Sequence, residues 1–79
     1  MSPTVFREDG YRFFFFSREE SRMHVHVLSG DGEAKYWLEP EIALAKSIGY
    51  SNKQLKRIEL LVREHRDELI SGWQRHFKD

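Results

Sequence analysis

The chain has 79 residues, room for one small domain that buries roughly 60% of the surface exposed when unfolded. It has no cysteine, which excludes a disulfide framework, a thiolate nucleophile and any cysteine-ligated zinc or iron–sulfur site. Lys plus Arg number 13 and Asp plus Glu 13, so overall charge singles out neither nucleic acid nor membrane, while six Phe, three Tyr and two Trp argue for a folded globule.

The start of the chain lacks an apolar stretch long enough for a signal peptide, and the longest apolar run, Phe13 to Phe16, is far short of a membrane span. The expectation is a soluble, cytoplasmic protein with no membrane partner. Up to residue 38, aromatic and β-branched residues alternate with polar ones between glycine turns, which predicts strands. The first hairpin joins residues 3–7 to 11–17 through Asp9-Gly10, a dipeptide suited to two positive-φ positions. That loop pairs Arg7 with Arg12 and Phe6 with Phe13, placing Thr4, Phe6, Tyr11, Phe13 and Phe15 on one face. Val5, Arg7, Arg12, Phe14 and Phe16 take the other. A polar loop follows at 18–22. The second hairpin joins residues 23–28 to 33–38 through Asp31-Gly32, pairing Leu28 with Lys35 and His26 with Trp37. Its core face is Val25, Val27, Ala34, Tyr36 and Leu38; the opposite face is His24, His26, Leu28, Glu33, Lys35 and Trp37.

After residue 38 the apolar spacing changes to three and four, which predicts helices. Glu39-Pro40-Glu41 suits a first helical turn, Ile42, Leu44, Ala45 and Ile48 form its stripe, and Gly49 ends it. Ser51-Asn52-Lys53-Gln54 is a capping box, opening one long helix whose stripe runs from Leu55 to Phe77. The expected fold is a single α+β domain over 1–79, ββββαα: a four-stranded antiparallel sheet of two hairpins (1–38) with a helical hairpin (39–79) on one face. The expected core is Tyr11, Phe13, Phe15, Val25, Val27, Ile42, Leu55, Ile58, Leu61 and Val62.

The runs Pro3-Thr4-Val5-Phe6, Tyr11-Arg12-Phe13-Phe14-Phe15, His24-Val25-His26-Val27 and residues 32–40 resemble a small bacterial family, domain of unknown function 4160. Gly49-Tyr50-Ser51 with the helix Leu55-Lys56-Arg57-Ile58-Glu59 extends the resemblance over nearly the whole chain, in order. Members tend to carry Pro-Pro before the first histidine, where this chain has Arg22-Met23. Members are often encoded beside a second small protein, a layout similar to toxin–antitoxin pairs. The resemblance therefore implies a toxin-like component with a small cognate protein as partner.

Several groupings of residues bear on chemistry. His24-x-His26 on a strand sets two imidazoles on one face, about 7 Å apart. With Glu33 they suggest a weak zinc site; two polar-face histidines beside a tryptophan is the plainer account, and no cofactor is expected. On that face Arg7, Arg12, His24, His26 and Lys35 mingle with Phe14, Phe16 and Trp37, a composition that cradles single-stranded nucleic acid. Glu33 joins Arg7, Arg12 and Trp37 as a binding candidate. His24, His26 and Lys35 also suit metal-free RNA cleavage, with one imidazole as base, the other as acid and the lysine stabilising the phosphorane. The bland alternative is basic stems covering aromatic surface with their heads in water.

A rival reading is a helix-turn-helix at residues 44–58, exposing Asn52, Lys53, Gln54, Lys56 and Arg57 to DNA. Any tight helical corner selects the same small, glycine and apolar positions. A third reading is a non-catalytic interaction module. Its contacts, with a cognate protein or a second copy, are expected at the free sheet edge and at the helix end around Trp73 and Phe77.

Overall fold

The computed structural model describes residues 4–16 and 21–77, so residues 18–20 of the loop expected at 18–22, and the expected hairpin ends Pro3 and Ser17, lie outside the described residues. The strands are β1 (Thr4–Glu8), β2 (Tyr11–Phe14), β3 (His24–Ser29), β4 (Gly32–Trp37) and β5 (Ala43–Ile48). The helices are α1 (Asn52–Glu64) and α2 (Arg66–His76). The strands form one antiparallel sheet in sequence order, β1-β2-β3-β4-β5, and both helices pack on one of its faces. The α+β layering matches expectation, but the sheet has five strands instead of four.

The extra strand replaces the first expected helix. Pairing of Tyr36 with Leu44 and Trp37 with Ala43 satisfies a β4 edge that would otherwise face solvent. The apolar spacing of residues 42–48 suggested a buried helical stripe, yet only Ile42 is buried; Leu44 and Ile48 are 42% and 55% exposed. Local propensity lost to strand pairing. The sheet therefore runs on to residue 48, and the helical part begins at Asn52. The single long helix is likewise two, broken at His65, which ends α1 and precedes α2.

The Asp9-Gly10 turn forms as expected, with φ of 55° and 83°, and pairs Arg7 with Arg12. A bulge at Val5 then puts two β1 residues opposite one of β2, so Thr4 pairs with Phe14. The bulge swaps the expected faces of Thr4 and Val5. The second turn is Gly30-Asp31, not Asp31-Gly32: the Asp31 amide donates to Ser29 Oγ and Ser29 pairs with Gly32. The register moves by two, giving Leu28 opposite Glu33, His26 opposite Lys35 and His24 opposite Trp37. An even shift keeps every side chain on its face, so the inside–outside assignment survives.

The buried cluster holds nine of the ten expected core residues, leaving Leu55 half-buried, together with Ala34, Tyr36 and Leu38 of the expected core face and Leu69 and Trp73 of the helical stripe. The Ser51 capping box is present, with Gln54 N donating to Ser51 Oγ and Ser51 N to Gln54 Oε1. The Tyr36 hydroxyl donates to the Leu55 carbonyl; burial, and then Glu59, push this phenol up to about 12. Trp73 packs on Phe15, His24 and Phe77, so the helix end expected to seek a partner is folded onto the sheet.

His65 fastens the junction of the helices to β1. Its ring stacks on Phe6 at 3.8 Å, and Phe6 stacks on Phe13 at 4.2 Å. One ring nitrogen lies 2.8 Å from Glu68 Oε1 and the other 2.9 Å from Glu8 Oε1. Both nitrogens donate only in the imidazolium. The His65 pKa is raised, first by the hydrogen bond to Glu68 and then by that to Glu8, against the opposing effect of burial. A raised folded pKa stabilises fully below the unfolded value of 6.5, and that stability is lost as pH climbs through the folded value. Urea midpoints measured from about pH 6 to about pH 9 should fall in the wild type and fall less in His65→Gln. Equal slopes would remove the imidazolium clamp.

Gly49 sits where β5 leaves the sheet, with φ of 90°, and an added Cβ would collide with the Asp31 carbonyl oxygen. Neither feature admits a side chain. Gly49→Ala should cost roughly 1–3 kcal/mol in denaturant unfolding. Gly30→Ala, where a Cβ meets nothing within 4 Å, is the near-neutral control.

Candidate functional site

The sheet has one face under the helices and one facing away from them. Register sets two cross-sheet rows on the open face. One runs Arg7, Arg12, Leu28, Glu33, Ile48; the next runs Thr4, Phe14, His26, Lys35, Lys46. Neighbouring strands lie about 4.8 Å apart, so His26, Lys35 and Lys46 stand in successive positions along one line. Phe14, Phe16, His26, Glu33, Lys35, Lys46 and Ile48 line a cavity of about 230 Å³ on this face.

The cations rest on aromatic rings. Arg12 lies 4.5 Å from the centre of the Phe14 ring and donates to Thr4 Oγ1 at 2.6 Å, which accommodates its place opposite Arg7. Arg22 and Lys35 lie 4.1 and 4.5 Å from the Trp37 ring centre. Contacts of this kind are worth about 0.5–1 kcal/mol each at exposed sites. They shield the aromatic layer as the bland reading expects, and they also keep positive charge on the face. Trp37 thus carries two cations, and the ring presented to solvent is Phe16, 43% exposed and edge-on to His26 at 4.3 Å.

Three acidic side chains at the turns are drawn to the other side. Glu8 bonds His65, Asp9 bonds Arg57 at 2.6 Å and Asp31 accepts from Gln54, each reaching toward the helical layer. Among the described residues, the sheet face away from the helices carries Arg7, Arg12, Lys35 and Lys46 together with Glu33.

The candidate residues fare differently. His26 and Lys35 come together as direct partners across β3 and β4. His24 does not join them at the surface. It is fully buried, with ring centres 5.7 Å from Trp37 and 5.0 Å from Trp73, and its Nδ1 lies 2.6 Å from the Arg22 carbonyl. The expected solvent-facing His24 is therefore corrected: the end of α2 reaches past the strand and encloses it. An enclosed imidazole cannot reach a substrate phosphate, so the two-histidine cleavage scheme loses one member. The suggested zinc set is not assembled either, because Glu33 stands opposite Leu28, about 13 Å along the sheet from His24. No group of three His, Asp or Glu gathers as a metal site among the described residues.

The helix-turn-helix reading fails on the fold, since residues 43–48, where its first helix is needed, are a strand. Of its proposed contacts, Gln54 bonds Ser51 and Asp31, and Arg57 bonds Asp9; Asn52, Lys53 and Lys56 are exposed on α1. Lys46 and Ile48 were missed as site residues because their segment was assigned to a helix. The signal that could have placed them is the short segment between Pro40 and Gly49 following strands in sequence, where a fifth antiparallel partner fits. No helix among the described residues is long and apolar enough to cross a membrane.

These features define a two-layer α+β domain whose sheet face opposite the helices carries a cavity lined by aromatic and basic side chains. A family model described as Domain of unknown function (DUF4160) matches residues 10–74, and the chain belongs to that family. No curated protein and no solved structure matches the chain.

The burial of His24 has a direct consequence. His24→Ala should cost about 2 kcal/mol or more in unfolding free energy, as core truncations do. His26→Ala, at a half-buried position, should cost less than about 1 kcal/mol. Equal losses in parallel urea titrations would contradict the difference in burial.

Proposed function

We propose that the open sheet face binds single-stranded RNA, and that through it the chain acts as the toxin-like member of a two-gene module. The observation that carries this reading is the line His26–Lys35–Lys46 beside Phe14 and Phe16. Two lysines in adjacent strand positions suit a phosphate, and the exposed Phe16 ring offers a platform for a base. With His24 enclosed, His26 and Lys35 are the groups left to act on a bound strand, so the face reads as a binding surface first.

The test is anisotropy of a labelled mixed-sequence RNA oligomer across a salt series. Wild type should bind with a negative log–log salt slope, and Lys35→Ala with Lys46→Ala should bind weakly with a slope shallower by about 1.4, at about 0.7 per lost phosphate contact. Lys53→Ala with Lys56→Ala should leave both unchanged. Expression in a bacterial host extends the test: growth arrest is expected from wild type and not from the Lys35/Lys46 variant. Absence of RNA binding, or binding indifferent to the sheet lysines, overturns the reading.

A further inference from the structure

An anion site alone does not account for Glu33. Its carboxylate lines the same cavity as Lys35 and Lys46, where it would repel a phosphate brought close. It stands between Leu28 and Ile48 in one cross-sheet row, both of them exposed. None of the ion pairs among the described residues includes Glu33. A carboxylate flanked by apolar side chains and set one row away from two lysines matches a ligand with three parts: an apolar face, an edge of N–H donors, and an anion. A nucleotide whose base presents donors has all three.

Among the bases, guanine alone offers two adjacent donors, N1–H and the exocyclic N2 amine, to the two oxygens of one carboxylate. Adenine and cytosine present a single amine beside an acceptor, and the acceptor is repelled by an ionised Glu. The cavity volume of about 230 Å³ lies below the roughly 300–1,000 Å³ of pockets for drug-sized ligands, so it suits one base and not a stacked pair. We infer that this cavity selects a guanine base of single-stranded RNA, with Glu33 accepting from N1–H and N2–H, Ile48 and Phe16 against the base, and Lys35 and Lys46 on the adjoining phosphate. This rests on the reading of the face as an RNA surface and adds the base that it prefers.

The experiment compares short RNA oligomers identical except at one central base, G, A, C, U or inosine, against wild type and Glu33→Gln. Inosine keeps N1–H and lacks the amine, so it removes one of the two bonds without touching the protein. Wild type should prefer G over A by about tenfold, with inosine in between. Glu33→Gln should bring G, inosine and A to within about twofold of one another while leaving the salt slope unchanged. Glu33 is exposed, so this variant folds on the same grounds as the wild type. RNA binding with no base preference in the wild type, or with the preference intact in Glu33→Gln, overturns the guanine assignment alone. Absence of binding by every oligomer overturns the RNA reading beneath it.

Discussion

A small two-layer domain covers only one side of its sheet. In this chain both helices lie over Tyr11, Phe13, Val25, Val27, Ala34 and Tyr36, and every alternate strand residue is turned to a side where no helix or second sheet packs among the described residues. That single constraint governs the composition of the open face. Phe14 points away from the helices and is still only 6% exposed, because Arg12, Phe16 and His26 pack around it. Rings and long basic stems do there what a third layer does in larger folds. Their charged heads stay at the surface, so shielding the sheet and building a cationic face are one arrangement.

The helical layer completes the polarity. Asp9, Glu8 and Asp31 occupy or flank the turns, where they can reach either side, and Arg57, His65 and Gln54 draw them to the helices. Among the described residues, these three pairings thus hold acidic groups on the helical side of the sheet. His65 is central to this, since it ends one helix, begins the approach to the next, stacks on Phe6 and bridges two carboxylates. Enclosure of His24 by Trp73 shows the same economy: the end of α2 closes the core and in doing so removes one imidazole from the surface. The cavity on the opposite face is lined by His26, two lysines, one carboxylate and an exposed phenylalanine.

The sequence by itself determined the two hairpins, the capped start of α1 and the sidedness of β2, β3 and β4. These depend on local rules: a positive-φ dipeptide at Asp9-Gly10, a Ser–Gln box at residues 51–54, and alternation with period two. Sidedness survived even the displaced turn at Gly30-Asp31, because a shift of two residues preserves parity where a shift of one would have reversed it. Tertiary structure alone decided the rest. Ala43–Ile48 has spacing that fits a helix and composition that fits either state, and it became a strand because β4 offered an unpaired edge. The bulge at Val5 and the break at His65 answer to packing against α2 and to the Glu8–Glu68 bridge, contacts remote in sequence. The candidate site divides along the same line. His26, Lys35 and Glu33 were legible because alternation fixes which side they face; Lys46 and Ile48 entered, and His24 left, only when distant elements met, a matter of long-range pairing that no local window contains.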